Sequence, residues 1–252
     1  MKRLPPEPRD SIPAGAIAAS ACLKALSPEF FNRDPRDVGR ELLGKLLVRR
    51  CPAQTQTRRL PGGRRELLVA RVVETEAYLG ALDPAAHAYA GKTARNAVLF
   101  GPPGVAYVYL IYGNHFCLNV SCLPEGEAGC VLFRALEPVR GLGTMAKLRG
   151  LDLPATSPVE MKAASAGGHP ALAGRLRLLC GGPGRLTQAM QITRQRHNGM
   201  PLTSARSELF LADDGFRPGR IATTVRINVN KAAEMPLRYV IAGNPFVSRK
   251  ET

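Results

Sequence analysis

The chain contains no tryptophan, and only 6% of its 252 residues are aromatic. Any surface for stacking must come from six tyrosines and eight phenylalanines. Long apolar runs are also missing, with none approaching the roughly 18 residues that a membrane-spanning helix needs. The six cysteines (Cys22, Cys51, Cys117, Cys122, Cys130 and Cys180) form no C-x-x-C pair, so the spacing of a zinc cage is lacking. Several lie in apolar runs and read as buried thiols of a reducing compartment. Acidic residues are scarce, 20 against 35 lysines and arginines, which leaves a net charge of +15. That charge suits a polyanionic partner, either nucleic acid or an acidic membrane surface. A solvated, arginine-rich surface is the plainer alternative.

Residues 1–26 are rich in proline, alanine and charge, and are expected to be a poorly ordered tail. Within them AGAIAASACLKAL, residues 14–26, has a faint signal-peptide character. Lys24 interrupts it, and it reads as tail or short helix. A folded domain is expected over 27–252, starting at Ser27-Pro28 with Phe30 and Phe31 in its core. Asp37 is expected to cap a helix running to about Lys45. LLVRR and ELLVARVVETEAY read as antiparallel strands around a turn at Pro61-Gly62-Gly63. YVYLIY and HFCLNVSC form a hairpin around Gly113-Asn114, and CVLFRALEP adds a strand. LEPVRGLGTMAKLRG reads as helix, residues 151–175 as a surface excursion, and GGPGRLTQAMQI as a turn feeding a helix. TTVRINV and LRYVI close the chain as strands. The sum is an α+β single domain, a curved antiparallel sheet with surrounding helices and a protruding hairpin.

Two places suggest chemistry. In VETEAYLG, residues 73–80, alternation puts Glu74, Glu76 and Tyr78 on one face of a strand. Carboxylates there face either solvent or a site. Glu74, Glu76, Asp83 and His87 could together ligate a metal, although their spacing matches no familiar cage. Alternatively, one glutamate serves as a general base beside aromatic walls. The second place is the hairpin tip, where Tyr112 gains little from burial and calls for another use.

VETEAYLG, DPAAHA, YVYLIYG, CLNV, LFRALEP, GGPGRLTQAM and GNPFVS occur in that order. Each is short, but the set resembles the alkyladenine (3-methyladenine) DNA glycosylase family of mammals and bacteria, over roughly residues 27–250. The resemblance implies an enzyme that turns alkylated or deaminated purines out of duplex DNA. It then hydrolyses the N-glycosidic bond and leaves an abasic site. Glu76 matches the general base, with Glu74 its rival on the same face. Arg134 and the backbone of Ile227 match groups that hold the attacking water. Tyr78, His87 and Tyr109 match the walls of the base pocket, and Asn119 the residue that crowds guanine's amine. Tyr112 matches the wedge that fills the vacated stack. Lys92, Arg95 and Arg185 are candidates for phosphate contacts, as is Tyr107, which otherwise reads as a half-buried strand residue.

Two positions depart from the family pattern. Asn228 stands where glycine is usual, which its tolerance of left-handed backbone permits. Asn114 replaces a common apolar residue. No lysine falls in the motifs, so a monofunctional enzyme is expected. Neither a metal nor a cofactor is implied. The expected partner is double-stranded DNA containing damaged purines, with no membrane contact and a monomeric protein. The location would be the cytoplasm and nucleoid of a bacterium, or the nucleus of a eukaryote. A non-enzymatic binder of damaged or single-stranded DNA, and a metal-dependent hydrolase, stand as the competing readings.

Overall fold

The computed structural model describes residues 23–52, 65–153 and 156–249. The expected turn at 61–63 and nearly all of the N-terminal tail lie outside them. Among the described residues the backbone is a nine-stranded antiparallel sheet with helices packed against it. The strands are β1 (Lys24–Ala25), β2 (Leu46–Arg50), β3 (Leu67–Tyr78), β4 (Ala106–Ile111), β5 (His115–Cys122), β6 (Gly129–Arg140), β7 (Leu209–Asp213), β8 (Ile221–Thr224) and β9 (Arg238–Ile241). Their spatial order is β1-β7-β2-β3-β6-β5-β4, with β9 joined to β3 and β8. Together these elements make the α+β architecture expected from the sequence. Among the described residues no helix is long and apolar enough to cross a membrane.

The central pair, β3 and β6, explains where the site lies. Val131, Phe133 and Ala135 of β6, with Leu118 and Val120 of β5 and Val108 of β4, belong to the main core. Each of the valine, leucine and phenylalanine side chains contributes on the order of 2 kcal/mol when fully buried. The alternate residues therefore face the other side of the sheet. Register sets four of them in one row: Glu76 pairs with Leu132, Leu132 with Asn119, and Asn119 with Tyr107.

The β3–β6 ladder slips three times, first between Val69 and Ala70 and then twice around Glu74. Val72 pairs with Leu136 and Glu74 with Ala135, which leaves Val73 over; Thr75 then pairs with Phe133, which leaves Arg134 over. Bulges of this kind re-aim side chains. Here they bring Arg134 between the two glutamates.

The helices are α1 (Pro28–Phe31), α2 (Pro35–Glu41), α3 (Leu142–Arg149), α4 (Pro158–Ser165), α5 (Pro170–Cys180), α6 (Pro183–Ala189) and α7 (Arg194–His197). Several differ from expectation. Asp34, not Asp37, caps α2 by accepting from the Arg36 amide at 2.8 Å. Pro35 has no N–H to satisfy and suits the first helical position, so the helix begins one residue after Asp34. It stops at Glu41, because Gly44 takes φ +89 on the way into β2. LEPVRG is strand as far as Arg140, and α3 starts only after the left-handed Gly141.

The supposed excursion at 151–175 contains α4 and the start of α5. A capping box between Ser157 and Glu160 opens α4, and buried Leu172, Leu176 and Leu179 seat α5 on the core. TTVRINV is strand only to Thr224. Lys24 and Ala25, within the expected tail, pair with Asp213 and Ala212.

Candidate active site

Glu76 is fully buried on β3, and three groups hold it. The Ile227 amide donates to Oε1 at 2.8 Å, and the Tyr78 hydroxyl donates to Oε2 at 3.0 Å. Arg134 Nη1 lies 3.3 Å from Oε1. A carboxylate has about four acceptor positions, so one stays open. Burial pushes the Glu76 pKa up, and Glu74 adds to the rise. Arg134, the Ile227 amide and the Tyr78 hydroxyl act against it. The proton on Tyr78 is secure, because burial and Glu76 both raise its pKa.

Glu74, the rival carboxylate, is fully engaged. Oε1 accepts from Arg238 Nε at 2.8 Å, Ser248 Oγ at 2.9 Å and Arg134 Nε at 3.2 Å. Oε2 accepts from the Ser248 amide at 2.6 Å. Asp83 is similarly closed. It accepts from both Arg226 nitrogens and from the amides of Leu79 and Ala85. Two of the four supposed metal ligands therefore have their acceptor positions filled by arginine and backbone. Among the described residues no cluster of three or more His, Cys, Asp or Glu side chains is arranged to hold an ion. Glu74 anchors Arg134, whereas Glu76 keeps one acceptor position open.

Tyr78, whose hydroxyl holds Glu76, also lines a hollow of about 380 Å³ together with His87, Tyr107, Tyr109, Asn119, Cys130 and residues 228–231. That volume is typical of a small-molecule site. His87 packs edge-on against Tyr109, with ring centroids 4.5 Å apart, and its Nδ1 meets the Tyr107 hydroxyl at 3.0 Å. Burial lowers the His87 pKa and Arg95 lowers it further, so the ring is neutral at neutral pH. Asn119 donates through Nδ2 to the Tyr107 carbonyl at 3.1 Å, while the Cys130 thiol approaches its Oδ1 at 3.9 Å. Tyr107 itself is 1% exposed. Its hydroxyl meets His87 Nδ1 and also interacts with the Arg95 side chain.

A second hollow of about 410 Å³ adjoins the first through Tyr78, Tyr109, Asn228 and Val229. Arg134 and Ile227 open onto it, as do Tyr112, Arg149 and Arg185. Tyr112 is 78% exposed and takes φ +54 at the turn between β4 and β5, next to Gly113 at φ +74. Left-handed backbone costs a non-glycine residue roughly 1–2 kcal/mol, and such strain concentrates at sites that grip ligands. Asn228 takes φ +57, the left-handed backbone that asparagine tolerates. Lys92, Arg95 and Arg185 are exposed, and Arg185 lines the second hollow. Arg95 stands 5.9 Å from the Tyr109 ring centroid.

Sequence reasoning missed Arg226, Arg238 and Ser248. Arg226 and Arg238 are charges inside short apolar stretches, the same signal that singles out Arg134. It also missed the wall at 228–231, which brings Lys231 to the rim of the first hollow.

A family model described as methylpurine-DNA glycosylase matches residues 29–245. Three similar proteins carry the name "Putative 3-methyladenine DNA glycosylase". The one from Koribacter versatilis is 53% identical over 230 residues, 91% of this chain and 96% of its own length. That from Alkaliphilus oremlandii is 40% identical over 229 residues, 89% of this chain and 99% of its own. That from Burkholderia cenocepacia is 41% identical over 220 residues, covering 87% and 88%.

Proposed function

The chain belongs to the methylpurine-DNA glycosylase family, and we propose that it removes alkylated and deaminated purines from duplex DNA by hydrolysing the N-glycosidic bond. The observation that carries this reading is the Glu76 carboxylate, held by the Ile227 amide, Arg134 and Tyr78, with Tyr78 itself forming one wall of a hollow completed by further tyrosines and a neutral histidine.

A purine inside the helix is out of reach, so its nucleotide is turned out at a cost of a few kcal/mol. Tyr112 enters the gap from the minor groove as the wedge. Arg95, Lys92 and Arg185 contact phosphates and fix the register of the duplex. The extruded base lies among Tyr78, Tyr109 and His87. Aromatic faces attract a cationic alkylpurine by about 0.5–2 kcal/mol per contact. Neutral His87 adds no repulsion. Asn119, its amide fixed by Tyr107, leaves no room for guanine's exocyclic amine.

Arg134 and the Ile227 backbone hold a water beside Glu76. Glu76 takes its proton as oxygen attacks the anomeric carbon, and its charge stabilises the oxocarbenium-like transition state. A cationic base leaves neutral and needs no added acid. The reaction requires no metal or cofactor, and the protein acts as a monomer. Cleavage stops at the abasic site, because the chemistry uses water and no amine. Incubating the protein with duplexes carrying 3-methyladenine, hypoxanthine or ethenoadenine tests the reading. Free base is expected from at least one duplex, and release from none overturns it.

A further inference from the structure

Arg226 is 4% exposed and ties together both rims of the base hollow. Its Nη1 donates to the Ala77 carbonyl at 3.2 Å and to Asp83 Oδ2. Its Nη2 donates to Asp83 Oδ1 at 2.9 Å and to the Ala232 carbonyl at 3.4 Å. The guanidinium carbon stands 4.7 Å from the centroid of the Tyr78 ring. Tyr78 lines the hollow and Arg226 does not, so the cation covers the side of the ring turned away from the base. Neither Arg226 nor Asp83 touches the position of the substrate.

A cation behind an aromatic ring works against a second cation in front of it. Both draw on the same π density, and they repel each other through a medium that screens poorly. A pocket meant for charged alkylpurines therefore needs the rear charge cancelled. Asp83 meets it with a two-oxygen, two-nitrogen fork, the strong planar geometry of arginine and carboxylate. The Leu79 and Ala85 amides hold the carboxylate in place.

We propose that Asp83 and Arg226 form a specificity-setting pair behind Tyr78, with Asp83 neutralising Arg226 so that the front of the ring favours a cationic purine over a neutral one. The inference rests on the glycosylase reading. It assigns these two residues as positioning groups that act through Tyr78.

The test is the ratio of single-turnover release rates for 3-methyladenine and hypoxanthine in otherwise identical duplexes. Both rates come from one preparation, so any unfolded fraction cancels. Asp83→Asn leaves the Arg226 charge exposed to the ring, and the ratio is expected to fall about tenfold, the scale of one cation–π contact. Arg226→Gln removes the rear cation and is expected to raise the ratio. The double variant should return it to near the wild-type value. Where a variant turns over too slowly, relative affinity for the two duplexes in a Glu76→Gln background gives the same comparison. A purely structural pair would slow both bases equally. An unchanged ratio in both single variants overturns the proposal while leaving the glycosylase reading intact. A wild-type protein that releases neither base overturns that reading first.

Discussion

The Ile227 amide donates to Glu76 Oε1 at 2.8 Å across 151 residues of sequence. This bond joins β3 to the loop that roofs the base hollow. The Glu76 carboxylate is thus oriented by the same segment that lines the hollow. Loop 225–232 is in turn anchored by the Arg226 side chain on Ala77 and Asp83.

The surroundings of Glu76 predict how activity depends on pH. Burial raises its pKa above the ordinary glutamate value, and Arg134 opposes the rise. A general base works only when deprotonated, so base release should increase with pH through that raised pKa. Arg134→Gln removes the opposing charge and should move the acid limb to higher pH. A pH–rate profile for release of a cationic base checks both. A limb that stays in place in Arg134→Gln counts against the assignment.

Tyr112 separates stability from function. Its φ of +54 is strained for tyrosine, and its side chain is largely exposed. Tyr112→Gly should leave the unfolding free energy unchanged or raise it by about 1 kcal/mol. Affinity for a duplex containing a lesion should nevertheless drop. Unaltered affinity would remove the wedge role.

His197 sets a stability limit away from the site. It is fully buried, and burial together with Arg49 lowers its pKa from 6.5 to about 4. The unfolded chain takes up this proton near pH 6.5 while the folded protein refuses it until about 4. Stability is therefore lost as pH falls through that window, by up to about 3 kcal/mol. Denaturant unfolding at pH 7 and pH 5 should show the loss, and His197→Gln should flatten it.

Hydrolysis by water predicts that borohydride will trap no covalent adduct between protein and DNA. Lys231, at the pocket rim, is the amine to watch. A trapped adduct that disappears in Lys231→Ala would show lyase chemistry in place of simple hydrolysis.

Much of this was legible in the sequence because strand alternation carries a physical meaning. From Thr75 onward in VETEAY, and in YVYLIY, alternation gives the observed faces: Ala77 and Val108 lie in the core while Tyr78, Tyr107 and Tyr109 line the hollow. The bulges at Val73 and Arg134 were not legible, because a ladder slip leaves no local mark in either strand. Helices α4 and α5 hid in Ala-, Gly- and Pro-rich sequence, where proline marks a helix start as readily as a loop. The roles of Glu74 and Asp83 depended on partners far along the chain, Ser248, Arg238 and Arg226. Only the fold brings these together.

The most direct measurement compares wild type with Glu76→Gln in single-turnover release of 3-methyladenine from duplex DNA. The change keeps the shape and one oxygen to accept from the Ile227 amide, turns the Tyr78 contact around because an amide NH2 donates, and removes the base. Release is predicted to fall by about 10²–10⁴, the usual contribution of a general base, with binding to the lesion duplex retained. Equal release rates in the two proteins would contradict the account.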